Sequence, residues 1–194
     1  VLFDVFHKKF PQHSILTTKP YYSLYQHAKN NLRYIDVMRD SPTGKQTGYR
    51  LTPSMIRQGL AEAKRDNVRI CALLICDPNN PTGTVISPDE WQEIAKILNE
   101  NPGLYLIHDA AYAYMLLNGG GYRSLLSLAP QLKERLVMLY SGTKSHSAAG
   151  ERLAATLVFD QDIRNSMVAG ITNTFGHAPR SCQHIFAAAV AKLT

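Results

Sequence analysis

The chain has 194 residues, of which 45% are hydrophobic and 19% charged, so it can bury a substantial core and disorder is excluded. Its net charge of +6 comes from scattered lysines and arginines, without the basic arm that would indicate a nucleic-acid partner. No apolar stretch reaches the ~18 residues needed to cross a bilayer. We therefore expect one cytoplasmic domain with neither a membrane nor a nucleic-acid partner, and three cysteines without paired metal spacing agree with a reducing compartment and no metal site.

Strand-like and helix-like segments alternate along the chain, which predicts an α/β fold. The strand-like runs cover residues 14–18, 33–37, 70–76, 104–108, 136–140 and 153–159. The helix-like segments cover residues 1–10, 22–30, 53–66, 88–100, 122–128, 162–172 and 180–192.

Two helix starts carry strong local signals. Thr52 precedes Pro53, and Ser87 precedes Pro88 with Glu90 three residues after the serine. A hydroxyl residue before a proline is typical of a helix N-terminus, and the glutamate completes a capping box in the second case. These are the most specific secondary-structure predictions that the sequence allows.

A lysine follows directly after one of the buried strands. The continuous apolar run 136–140 is typical of a parallel strand covered on both faces, and Lys144 comes four residues after it ends, with Arg152 eight residues further on. Open α/β sheets bind their ligands at the carboxyl ends of the strands. A lysine and an arginine at that edge suit a covalently held phosphate cofactor.

Four short motifs each follow a strand-like run. They are Lys19-Pro20-Tyr21-Tyr22, Asp77-Pro78-Asn79-Asn80-Pro81-Thr82-Gly83, His108-Asp109-Ala110-Ala111-Tyr112, and the segment from Ser141 through Lys144 and Gly150 to Arg152. In this order and at these spacings they resemble the fold-type I pyridoxal-phosphate enzymes, above all the class I/II aminotransferases. The resemblance spans nearly the whole chain and implies the large cofactor domain, a three-layer α/β/α sandwich with a mainly parallel sheet.

The resemblance also implies that residues 1–194 are an incomplete domain. The glycine-rich phosphate loop of the family is expected before Val1, and the small domain with the arginine for the substrate carboxylate is expected after Thr194. The isolated segment is therefore expected to be inactive, whereas the intact protein is expected to be a homodimer.

The resemblance assigns the reactive residues as follows. Lys144 forms a Schiff base with pyridoxal 5′-phosphate and later carries protons, and Asp109 faces the pyridine nitrogen. Asn80 and Tyr112 hydrogen-bond the phenolic oxygen of the cofactor.

The remaining assignments concern the phosphate and the ring. Ser141 and Arg152 match phosphate ligands, because a guanidinium and a hydroxyl donate strong hydrogen bonds to phosphate oxygens. Tyr22 matches the aromatic residue that stacks on the cofactor ring. The resemblance further suggests cis peptide bonds before Pro20 and Pro81.

The leading functional prediction is an aminotransferase acting on an amino acid and a 2-oxo acid. Two alternatives stay open, since a shared scaffold does not fix the reaction. One is a lyase, decarboxylase or synthase that uses the same cofactor. The other is an aminotransferase-like, cofactor-sensing domain of a transcriptional regulator, which a helix-turn-helix module upstream would indicate.

Overall fold

The computed structural model describes residues 1–28, 31–38, 48–116 and 121–191. The strands are β1 (Ser14–Lys19), β2 (Leu32–Asp36), β3 (Ile70–Cys76), β4 (Tyr105–Asp109), β5 (Leu136–Ser141) and β6 (Ala154–Val158). The helices are α1 (Leu2–Lys9), α2 (Pro53–Arg65), α3 (Pro88–Glu100), α4 (Leu125–Leu128), α5 (Gly142–Ser145), α6 (Gln161–Thr174) and α7 (Arg180–Ala191). None of the helices within these ranges is long and apolar enough to cross a membrane.

The strands form a single six-stranded sheet in the order β2-β1-β3-β4-β5-β6. Strands β1 to β5 run parallel, and β6 pairs antiparallel with β5 at one edge. The sequence prediction of a mainly parallel sheet is therefore confirmed. Because the parallel strands point the same way, the segments that follow β3, β4 and β5 meet at one edge of the sheet.

Side chains that alternate along the central strands build two separate cores. Leu73, Leu106 and Met138 are buried in the core that α2, α3 and α4 cover. Their neighbours Leu74 and Ile107 are buried in the core on the opposite face, which α1 and α6 cover. The predicted three-layer sandwich follows from this alternation, because each strand is apolar on both faces.

The two capped helices begin where the sequence predicts. Thr52 Oγ1 accepts a hydrogen bond of 3.4 Å from the Met55 amide at the start of α2. At α3, Ser87 Oγ accepts from the Glu90 amide at 3.3 Å, while the Glu90 carboxylate accepts from the Ser87 amide at 2.8 Å. This reciprocal pair is the predicted capping box.

Two helix predictions were wrong in part. The segment 22–30 forms a 3-10 helix over Ser23–Ala28, and its last two residues lie outside the described ranges. Residue 192, the last of the predicted segment 180–192, also lies outside them. The helix predicted from residue 122 begins at Leu125, with Ser124 as its N-cap. Tyr122 stays outside this helix because its hydroxyl lies 2.7 Å from His108 Nε2 on β4.

Candidate active site

A cleft of about 470 Å³ opens at the carboxyl edge of the sheet, beyond the ends of β3, β4 and β5. All seven residues that the sequence singled out line this cleft, although they lie in four separate segments of the chain. They are Tyr22, Asn80, Asp109, Tyr112, Ser141, Lys144 and Arg152. Cys76, Ala111, Thr143, Ala149, Leu153 and Ala154 complete the lining.

Asp109 is the last residue of β4 and has both carboxylate oxygens in hydrogen bonds. The Tyr25 hydroxyl donates to Oδ2 at 2.5 Å, and the Ala111 amide donates to Oδ1 at 3.2 Å. Burial raises the pKa of this carboxyl, and the two hydrogen bonds act in the opposite direction. The site therefore contains an acid taken largely out of water and supplied with donors that favour its charged form.

Asn80 and Tyr112 are joined across the cleft. Asn80 Nδ2 donates to the Tyr112 hydroxyl oxygen at 3.0 Å, and the Lys144 Nζ lies 5.7 Å from the centroid of the Tyr112 ring. Burial raises the pKa of Tyr112, so its hydroxyl keeps its proton and is free to donate to a ligand oxygen. An amide, a phenol and an amine thus face one small volume.

Lys144 and Arg152 lie in the connection between β5 and β6, which follows directly after Ser141. Ser141 is the last residue of β5, and its Oγ accepts a hydrogen bond of 3.2 Å from the Thr143 amide. This bond caps the short helix α5, which carries the exposed Lys144. Arg152 adopts left-handed backbone angles, φ 53° and ψ 37°, and its Nη1 donates to the Ala149 carbonyl at 3.2 Å. The guanidinium has further N–H groups for an anion in the cleft.

Tyr22 borders the cleft with 39% of its surface exposed. Its ring meets the Tyr25 ring edge-on, at a centroid distance of 5.7 Å and an interplanar angle of 89°. The cis peptide bonds expected before Pro20 and Pro81 are both present, and a third precedes Pro78.

A buried polar group supports the loop that carries Asn80. Asp77 Oδ1 accepts from the Ile86 amide at 2.8 Å, and Oδ2 accepts from Trp91 Nε1 at 3.3 Å. The Asp77 carbonyl accepts from the Tyr122 hydroxyl at 3.2 Å. Both ends of the loop between β3 and α3 are therefore tied to the core.

Two residues beside the cleft were missed by sequence reasoning. Tyr25 contacts Asp109 directly, and Cys76 lines the cleft at the end of β3, where burial raises the pKa of its thiol to about 12. The spacing of three residues between Tyr22 and Tyr25 was an available signal, because residues three apart share a face of a helix. Cys76 gave no signal beyond its apolar surroundings.

Comparison with known proteins identifies the family. The model of the family aminotransferase class I and II matches residues 1–193, and the chain belongs to that family. An aspartate/prephenate aminotransferase from Nitrosomonas europaea is 27% identical over 111 residues, covering 57% of this chain and 26% of the relative. A human 1-aminocyclopropane-1-carboxylate synthase-like protein is 30% identical over 166 residues, covering 80% of this chain and 32% of the relative.

Solved structures agree on the fold and the cofactor. Cystalysin from Treponema denticola, which contains a pyridoxal 5′-phosphate cofactor, superposes with a TM-score of 0.75 at 23% identity and covers 93% of this chain and 45% of its own. The α/β fold and the cofactor of the family, both predicted from the sequence, are confirmed. The chain spans about a third or less of the curated relatives described above and under half of the cystalysin chain.

Proposed function

We propose that this chain is the cofactor-binding domain of a pyridoxal-phosphate-dependent aminotransferase, which exchanges an amino group between an amino acid and a 2-oxo acid. The observation that carries the proposal is the convergence of Lys144, Asp109 and Arg152 on one cleft at the carboxyl edge of a parallel sheet. An amine, a carboxylate and a guanidinium are the groups that the aldehyde, ring nitrogen and phosphate of this cofactor require.

The other groups in the cleft fit the same ligand. Ser141 and Arg152 would bind the phosphate, and Asp109 would accept the hydrogen bond from the ring nitrogen. Asn80 and Tyr112, already paired at 3.0 Å, would bind the phenolic oxygen. Tyr22, with its exposed ring at the border of the cleft, would cover a face of the cofactor.

In this proposal each residue has a chemical task. When bound, pyridoxal phosphate supplies an aldehyde for covalent attachment and a ring that withdraws electrons from the α-carbon of the substrate. Lys144 provides the amine that holds the cofactor and then acts as the general base and acid that moves the α-proton of the substrate. The negative charge of Asp109 keeps the proton on the ring nitrogen.

A second reaction on the same site is a synthase or lyase activity. It is supported by the match to the human 1-aminocyclopropane-1-carboxylate synthase-like protein, which is named after a synthase and not after an aminotransferase. The cleft residues described above serve either reaction equally, because the cofactor performs the electron withdrawal in both. The two candidates therefore differ in a measurable product balance rather than in the cofactor site.

We also propose a homodimer in the cytoplasm. The homodimer follows from the resemblance to the class I/II aminotransferases. Three free, buried cysteines agree with a reducing compartment.

Product balance in the full-length protein decides between the two reactions. Incubated with an amino acid and no 2-oxo acid, an aminotransferase releases at most one equivalent of 2-oxo acid per cofactor and then stops. Adding a second 2-oxo acid restores continuous turnover. Product that continues to accumulate without any added 2-oxo acid would refute transamination and support the synthase or lyase. Lys144→Ala is the control, because it removes the proposed base and should abolish either reaction.

A further inference from the structure

The hydroxyl of Tyr25 lies in the second layer of the cleft, behind Asp109 and not in the cleft lining. It donates to Asp109 Oδ2 at 2.5 Å, while the Ala111 amide occupies Oδ1. Tyr25 is only 7% exposed and comes from the 3-10 helix after β1, whereas Asp109 ends β4. The contact therefore joins two distant parts of the sequence at the edge of the sheet.

The Tyr25 ring is fixed on three sides, so its hydroxyl has little freedom to turn away. It packs edge-on against Phe3 at 6.2 Å and against Tyr22 at 5.7 Å, and it stacks on Tyr21 at 6.4 Å and 11°. Such packing favours one rotamer. A hydrogen bond from an immobilised donor loses little conformational entropy when it forms, and it also fixes the orientation of its acceptor.

The direction of the hydrogen bond follows from the surroundings of the hydroxyl. Burial raises the pKa of Tyr25, with further increases from Asp109 and Cys76, so the phenol keeps its proton and acts as the donor. The titratable groups facing Asp109 are Tyr25, Cys76, Tyr112 and Tyr122, and all four are neutral acids in this environment. No cation among the described residues forms an ion pair with Asp109.

We propose that Tyr25 is a positioning residue that holds the Asp109 carboxylate in one orientation and keeps it ionised for the ring nitrogen of the cofactor. This inference rests on the proposed function, since it gives Asp109 the nitrogen as its ligand. A single proton is shared between the carboxylate and the nitrogen. The Tyr25 hydroxyl stabilises the negative carboxylate and so places that proton on the nitrogen.

Replacing the hydroxyl tests the proposal with little change in packing. Tyr25→Phe keeps the ring and its three aromatic contacts and removes only the donor. Tyr105→Phe is the matched control, because the Tyr105 hydroxyl donates to the Asp160 carboxylate at 2.8 Å, away from the cleft. Both variants lose one tyrosine-to-aspartate hydrogen bond, so a general loss of stability affects them alike.

The direct readout is the nitrogen-15 chemical shift of the pyridine nitrogen in full-length protein loaded with labelled pyridoxal phosphate. In Tyr25→Phe, we expect the resonance of the pyridine nitrogen to move toward that of a neutral pyridine. We also expect kcat to fall roughly tenfold with little change in KM, as for the loss of one hydrogen bond to a charged group. Tyr105→Phe should keep both values of the unsubstituted protein.

Three outcomes would overturn the inference or its basis. A pyridine shift and kcat that are unchanged in Tyr25→Phe would show that the hydroxyl has no such role. Equal losses in Tyr25→Phe and Tyr105→Phe would show a purely structural role. Failure of the unsubstituted protein to bind the cofactor at all would instead refute the proposed function, before either variant is compared.

Discussion

Asp77 is a buried acid in the turn that leads to Asn80. It is 1% exposed, and its only side-chain partners among the described residues are two N–H donors, the Ile86 amide and Trp91 Nε1. Two neutral donors do not offset the loss of water around a charge, so burial raises its pKa to about 7. The folded protein consequently binds a proton at Asp77 more tightly than the unfolded chain does.

The raised pKa predicts a pH-dependent stability. The contribution that protonated Asp77 makes to the free energy of unfolding is fully present below its ordinary pKa of 3.8 and is lost as the pH rises through about 7. Asp77→Asn does not titrate, so the free energy of unfolding of the original protein minus that of the variant should fall between pH 4 and pH 7. The fall should be about 4 kcal/mol at most, since each pKa unit corresponds to ~1.4 kcal/mol.

Urea denaturation of the cofactor-free full-length protein and the variant, at steps across this range, measures that difference. Taking the difference cancels other titrating groups such as His108, whose pKa burial lowers to about 3. A difference that stays flat or rises with pH would show that Asp77 is solvated or paired in solution.

The seven cleft residues were predicted from the resemblance of four motifs to the class I/II aminotransferases, and the structure brings all seven to one cleft. Tyr25 and Asp77 were not predicted as functional or strained positions. Their importance comes from contacts between residues 84 and 14 positions apart along the chain, respectively. The contact between Tyr25 and Asp109 depends on the order of the strands in the sheet, and one sequence does not specify that order.

Among the elements, α3 has the best-defined start in the described chain. Ser87, Pro88 and Glu90 satisfy the first backbone donors of the helix locally, and Trp91 and Ile94 anchor the following turns in the core. Local capping and burial therefore favour the same boundary. The helix in turn holds Trp91 against Asp77, which fixes one end of the loop with Asn80.

Ser87→Ala should lower the free energy of unfolding by about 1 kcal/mol, the usual cost of losing a side-chain N-cap. The variant keeps the Glu90 side-chain bond to the residue 87 amide. It loses the acceptor for the Glu90 amide and the hydrogen bond that Ser87 Oγ donates to Glu90 Oε2. Ser166→Ala is the matched control, because Ser166 is an exposed residue inside α6 and the substitution should change stability by less than ~0.5 kcal/mol. Equal effects in both variants would show that the cap is not formed in solution.

The elements that the sequence predicted best are those with local determinants. The helix α3 was predicted at residues 88–100 with a strong cap at its start, and β3 was predicted from an unbroken apolar run. The start of α4 was wrong because a distant partner, His108, holds Tyr122 outside the helix. Local patterns thus determine where an element begins only when no tertiary contact competes with them.

At the scale of the whole molecule, the parallel sheet brings together segments that lie far apart in the sequence. The prediction of a mainly parallel sheet was confirmed, while the antiparallel pairing of β6 with β5 was not anticipated. That pairing holds the turn carrying Lys144 and Arg152 between two neighbouring strands. The geometry of the cleft is therefore a property of the sheet and not of any single motif.

In the proposed function, Lys144 is the residue that holds the cofactor. The chain contains other lysines, and among its described residues Lys144 is the lysine that lines the cleft, beside Tyr112. Borohydride reduction of the protein loaded with pyridoxal phosphate converts the linkage between the amine and the aldehyde into a stable bond. Peptide mass spectrometry then identifies the lysine that carries the cofactor.

We expect the modification on Lys144 at close to one per chain and its disappearance in Lys144→Ala. The control Lys19→Ala should retain it. A modification spread over several lysines, or one that persists undiminished in Lys144→Ala, would contradict the assignment of this cleft as the cofactor site.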